Sequence, residues 1–201
     1  GRGTAGQGAG VRVVLGVSGA SGAVLALDCA RILARLGAEV ELVLSAMAER
    51  TLAEEVGPRA GADLRAMAAR VHPCGDMGAA IASGSCPVAG MIVAPCSMRS
   101  LAAIAHGLDD TLLVRAASVQ LKERRPLVLL TREAPLTLAH LRNMTAATEM
   151  GAVVMPPVPA FYLRPQSVAE ITDQIAARAV DLLRLAPPRA AAWGGQAMPP
   201  D

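Results

Sequence analysis

The chain has 201 residues, 53% of them apolar and 18% charged, and carries a formal net charge of +2. That length holds one domain with a sizeable core, and the composition excludes a disordered chain. The small charge, with one Phe, one Tyr and one Trp, excludes a nucleic-acid reader built on a basic stripe and stacking aromatics.

The opening GRGTAGQGAG (residues 1–10) predicts a flexible arm, and no secretory signal is expected. A folded domain is predicted over residues 11–185. It starts with an apolar run, Val11 to Val17, which predicts a strand, then a Gly/Ser turn and a helix from about Ala23 to Leu36 that Gly37 stops. Glu39 to Ser45 reads as a second strand and Met47 to Val56 as a helix. The charge-free run Met77–Met98 contains Pro87, Pro95, three glycines and three serines, which predicts loop, strand and turn rather than a membrane span. Within it Gly90 to Pro95 is a short buried strand, and Met98 to His106 a helix. Pro126 to Thr131 is a strand, about Pro135 to Met150 a helix, Gly151 to Pro156 a strand and Val168 to Leu185 a last helix. Apolar strands alternating with helices predict an α/β fold, a doubly wound parallel sheet in three layers. The tail from residue 186 to 201, rich in Pro, Ala and Gly, predicts an arm with Trp193 as its anchor.

Ligands of such folds sit beyond the carboxyl ends of the strands. Four places qualify: Ser18 to Gly22, Ser45, Cys96 to Ser100 and Thr131 to Glu133. In GVSGASGA, Gly16, Gly19 and Gly22 flank a strand-to-helix turn where backbone N–H groups can meet a phosphate. A tight turn packed by glycines, with no ligand, is the alternative. The motif is not GxGxxG, and the second strand ends in Ser45 rather than an acid for a ribose, so a single phosphate such as that of FMN fits better than NAD. PCSMRS repeats the design, although Ser97 also suits a plain helix cap. Cys96 has no His near it in sequence and reads as a structural thiol. The four cysteines, Cys29, Cys74, Cys86 and Cys96, form no CxxC pair and meet no His at ligand spacing, which predicts no metal and suits a reducing cytoplasm.

Arg132 and Glu133 follow a strand, where an Arg can clamp a phosphate and a Glu can move protons. On the last helix, Ile171, Ile175 and Leu182 form an apolar stripe and Arg178 falls on it, so an inward-facing Arg in need of an anion is expected. The alternative is an Arg that packs its stem and keeps its head in water. Phe161 and Tyr162, two of the three aromatic residues, stand together on a loop with Pro156, Pro157, Pro159 and Pro165.

SGASGA, PCSM, RAASVQLKERRPLVL, REAPL and PPVPAFYLRPQS together resemble the flavin prenyltransferase family (UbiX type), homo-oligomeric flavoproteins of flavodoxin-like fold, over about Val11 to Leu183. The resemblance implies transfer of a dimethylallyl group from its monophosphate to N5 and C6 of reduced FMN, without metal. The prenylated FMN product would serve UbiD-type decarboxylases, and the assembly would be a homododecamer. It implies that Gly19, Ala20 and Ser21, Ser45, Ser97, Met98, Arg99 and Ser100, and Arg132 hold the flavin. Tyr162, Arg178, Lys122 and Arg132 would hold the prenyl phosphate, and Glu133, Ser21, Glu55 and Lys122 would take catalytic roles. Three positions depart from the family pattern: Ala46 where Lys is frequent, Ser118 in place of Asp, and Arg99 in place of Lys. An FMN-dependent cysteine decarboxylase of the same fold, or a non-catalytic flavin-binding subunit of a decarboxylase, are the rival readings. The former calls for a catalytic His early in the chain and an Asn-Met substrate motif, and neither is expected here.

Overall fold

The computed structural model describes residues 10–194. The arm predicted for residues 1–10 and the end of the C-terminal arm lie almost wholly outside them. Its strands are β1 (Arg12–Val17), β2 (Glu39–Leu44), β3 (Arg70–Pro73), β4 (Gly90–Cys96), β5 (Leu127–Thr131) and β6 (Val153–Val154). Its longer helices are α1 (Val24–Arg35), α2 (Ala46–Glu55), α3 (Ala60–Ala66), α4 (Met98–Ala105), α5 (Leu112–Lys122), α6 (Leu138–Glu149) and α7 (Val168–Asp181). Every residue of β4 and β5 is buried, as expected of strands covered on both faces.

All pairings are parallel, in the order β3-β2-β1-β4-β5-β6. The chain winds outward from β1 to β3, returns to β4 beside β1, and winds outward again. The strand order therefore reverses between β1 and β4, and their carboxyl ends form the crevice where such sheets bind ligands.

Side-chain alternation divides the core in two. Val13, Leu15 and Val17 pack with Leu42, Ile92 and Val128 beneath α1 and α7, while Val14, Val43, Val93 and Leu129 lie under α4 and α5. The helix from residue 138 is the exception. Of its twelve residues only Ala147 is buried, and Leu138 is 61% and Leu141 47% exposed.

Three elements lack a strong signal in the sequence: α3, β3 and α5. β3 has only four residues, mostly exposed at the sheet edge, so it shows no apolar run. In α5 the apolar positions are nearly continuous, from Leu112 to Val119, and blur the helical period. Thr111 caps it by accepting from the Val114 N–H at 3.3 Å. No helix among the described residues is long and apolar enough to cross a membrane, and no group of three or more potential metal ligands occurs among them.

Candidate active site

The crevice is built around Ser18, the first residue beyond β1. Its buried hydroxyl donates to the Pro95 carbonyl at 2.7 Å and accepts from the Ser97 N–H at 2.8 Å, joining the turns that follow β1 and β4. A buried hydroxyl with both roles filled is a rigid pin. The sequence marked the segment from Ser18 to Gly22 but gave Ser18 no role of its own; its only signal was being the first hydroxyl after the strand.

The turns after β2 and β5 close on the same place. The turn holding Gly19, Ala20 and Ser21 lies against the start of α2: a Cβ at Gly19 would stand 2.3 Å from that of Met47, so only glycine fits. Thr51 also donates to the Gly19 carbonyl at 3.0 Å. Ser45 caps α2, accepting from Ala48 at 3.1 Å, and Ser97 caps α4, accepting from Ser100 at 3.1 Å and donating to the Ser100 hydroxyl at 3.0 Å. The Arg132 N–H reaches the Cys96 carbonyl at 3.2 Å, placing the end of β5 beside them. Hence the flavin-site residues predicted from Gly19 through Arg132 converge, with capping as the local task of Ser45 and Ser97.

This cradle has the donors that a flavin phosphate needs. The N–H groups of Met98 and Arg99 have no acceptor among the described residues, and they stand at the positive end of α4. The Thr131 hydroxyl, buried at the end of β5, is likewise unpaired. Two side chains on the rim are already engaged. Arg99 pairs with Asp110 at 3.1 Å, so its backbone rather than its guanidinium faces the cradle's donor set. Glu55 accepts from the Ser21 hydroxyl at 3.2 Å and from the Gly22 N–H at 3.0 Å, which places a carboxylate on the first turn.

Tyr162 and Arg178 meet elsewhere. They line one cavity of about 380 Å³, together with Met155, Gln174, Asp181 and Trp193. The expected inward-facing Arg is corrected here: Arg178 is exposed, and Ala177, expected on the outer side, is buried. The reason is the α1–α7 contact, where α7 turns Thr172, Ile175, Ala176, Ala179 and Val180 toward the core; small residues let the helices approach, and a guanidinium has no room. Arg178 borders the groove instead, in ion pairs with no described residue. Phe161, 73% exposed, is absent from the cavity wall.

Glu133 and Arg132 are both exposed at the end of β5, and Glu133 accepts from the Ala134 N–H at 3.2 Å. Lys122 lies apart from that cavity. It ends α5, whose course runs back toward the amino ends of the strands, and it pairs with Glu123 at 2.6 Å near Gly84. Within one chain it cannot join Tyr162 and Arg178. The neighbouring Arg125 donates to the carbonyls of Gly84 and Cys86 at 2.7 and 3.0 Å.

Cys96 is fully buried, and burial raises its thiol to about 12, which removes it as a nucleophile at neutral pH. The Asn-Met motif expected to be absent does occur, as Asn143–Met144 on α6, where the Asn143 side-chain oxygen lies 3.1 Å from His106 Nε2.

The family described as Flavoprotein matches residues 4–180. A flavin prenyltransferase UbiX of Thauera aromatica is 50% identical over 171 residues, 85% of this chain and 88% of that one. Among solved structures, AnUbiX (PadA1) in complex with FMN and dimethylallyl pyrophosphate superposes with a TM-score of 0.89 at 44% identity, covering 94% of this chain and all of that one. A dodecameric FMN-dependent Ubix-like decarboxylase from Escherichia coli O157:H7 gives 0.87 at 42% identity, covering 92% and 100%. The FMN-dependent cysteine decarboxylase TvaF, at 0.59 and 18% identity over 87% of this chain and 98% of that one, shares the fold alone.

Proposed function

The chain belongs to the flavoprotein family and within it to the flavin prenyltransferases, and from that premise we propose that it joins a dimethylallyl group, carried as the monophosphate, to N5 and C6 of reduced FMN. The observation that carries this reading is the pairing of two anion-ready places along the same strand ends: the cradle at Ser18–Ser21, Ser97–Ser100 and Arg132, and the groove of Tyr162 and Arg178. The cradle residues would hold the flavin, which when bound supplies the nucleophilic nitrogen.

The remaining work falls to side chains. Arg178, Arg132 and the Tyr162 hydroxyl bind the departing phosphate and stabilise the charge that builds on it as the allylic C–O bond breaks. Fixing donor and flavin against one another supplies the entropic share of the acceleration. Glu133 at the rim, or the released phosphate, accepts the proton lost on ring closure. Glu55, hydrogen-bonded to Ser21, holds a second carboxylate beside the first turn. Lys122 enters from a second copy of the chain, since its own lies at the other end of the sheet. Assembly as a homododecamer is supported by the dodecameric relative and by the bare apolar face of α6. The product passes to a UbiD-type decarboxylase, and the cytoplasm is the compartment that free thiols favour.

The cysteine-decarboxylase and non-catalytic readings are not favoured by relatives this similar. Oxygen-free incubation with reduced FMN and dimethylallyl monophosphate should yield flavin heavier by one prenyl group; unmodified flavin overturns the proposal. Arg178→Ala should keep bound FMN while slowing prenyl transfer about a hundredfold or more, as expected when a charge-stabilising donor is lost. Loss of FMN binding would show that the guanidinium serves the flavin instead.

A further inference from the structure

Asp181 ends α7, where a carboxylate opposes the helix dipole. It is also the only acid within one turn of Arg178, at the i+3 spacing that ordinarily makes an ion pair. No such pair forms. Both carboxylate oxygens are turned to the C-terminal arm instead: Oδ1 accepts from the Arg189 N–H at 2.8 Å and Oδ2 from the Ala190 N–H at 2.9 Å. The next arm residue is held from α7 as well, since the Gln174 amide both donates to and accepts from the Ala191 backbone at 3.3 Å. Two residues on, Trp193 meets Tyr162 edge to face, with ring centroids 5.4 Å apart. Arm residues Pro188 to Trp193 thereby form one wall of the cavity that Tyr162 and Arg178 line.

From this geometry we infer that Asp181 is a positioning residue for the prenyl-phosphate site: it latches the arm over the groove and, while so engaged, leaves the Arg178 guanidinium free for an anion. The two effects are coupled through one carboxylate. With the arm docked, Asp181 is saturated by backbone donors and the wall is complete. With the arm lifted, the carboxylate is released one turn from Arg178, where it competes with the incoming phosphate. Donor binding and arm docking therefore favour each other, a linkage that holds in both directions. The inference rests on the reading of Arg178 as a phosphate ligand, but the latch is measurable without any reaction.

The test uses the full-length protein loaded with FMN, whose bound visible spectrum reports the integrity of the fold. Trp193 is the only tryptophan, so its emission and its quenching by acrylamide report the arm alone. Asp181→Ala should expose Trp193 to the quencher, speed tryptic cleavage after Arg189, and raise KM for dimethylallyl monophosphate about tenfold with flavin affinity unchanged, the scale of one or two lost hydrogen bonds. Asp181→Glu should restore part of both. A second variant separates the latch from the competition. Arg189→Pro with Ala190→Pro removes both N–H donors while keeping the carboxylate, so its KM should exceed that of Asp181→Ala, and adding Asp181→Ala to it should lower KM again. An arm equally protected in Asp181→Ala overturns the latch. A freed arm with unchanged KM overturns its role in the site, and a proline pair no worse than Asp181→Ala overturns the competition. Absence of prenylated product from the unaltered protein would overturn the function above, and it leaves the quenching result standing.

Discussion

Ser18 and Asp181 share a feature that makes single residues decisive in this fold: each has polar atoms filled by backbone groups from a distant segment. Residue-level chemistry was legible in the sequence where it depended on neighbours along the chain. Ser45 and Ser97 stand before helices and cap them, and Gly19 sits in a turn that leaves no space for a Cβ. It was illegible where partners come from another segment, as for Ser18 and Asp181. The cysteines give a check at this scale. Cys29 and Cys96 are fully buried, with thiols raised to about 12 by burial and, for Cys29, also by the neighbouring Asp28 charge. Because the thiolate is the reactive form, an aromatic disulfide reagent at pH 8 should label partly exposed Cys74 first, and Cys29 and Cys96 only on unfolding. Rapid labelling of Cys96 in the folded protein would contradict the burial described.

Among the elements, most strands and the main helices were predictable because continuous apolar runs and helical stripes are long enough to average out exceptions. The stripe on α7 located that helix correctly yet assigned Arg178 the wrong side, since the tight face against α1 is written in alanines, which carry little pattern. β3 was missed for the opposite reason, being short and polar, but it holds the densest charge network in the described residues. Glu41 on β2, nearly fully buried, meets His72 at 2.6 Å and Arg70 at 2.6 Å, with Arg12 at 3.9 Å and Glu39 beside them. Burial alone would raise the Glu41 carboxyl, but hydrogen bonds from His72 and Arg70, and their charges, outweigh it and hold it below the ordinary 4.5. A carboxylate held low contributes stability above its unfolded-state value, and that contribution is lost as pH falls through the lowered one. Glu41→Gln should therefore destabilise the protein at pH 7 while flattening the fall in Tm below pH 4.5. An unchanged acid limb in thermal melts would remove Glu41 as its cause.

For the molecule as a whole, one chain holds both anion-ready places but not every residue its family resemblance assigns to them. Lys122 lies at the far end of the sheet, as its place just before a parallel strand implies, whereas the ligand sites follow the strands. A neighbour would have to bring it. The face of α6, with Leu138 and Leu141 exposed, is the surface this assembly would cover. Sedimentation should accordingly give a single species near twelve chains, and Leu138→Lys with Leu141→Lys should break it into smaller ones and reduce turnover with it. A monomer that turns over at full rate would contradict site sharing. The two margins of the sheet indicate how such copies can meet. β6 spans two residues, and β3 closes on Pro73, which has no N–H to offer. Neither border is a template on which another chain could lengthen the ladder. Contacts between copies are thus expected on helix faces and loops, away from the ladder of the sheet.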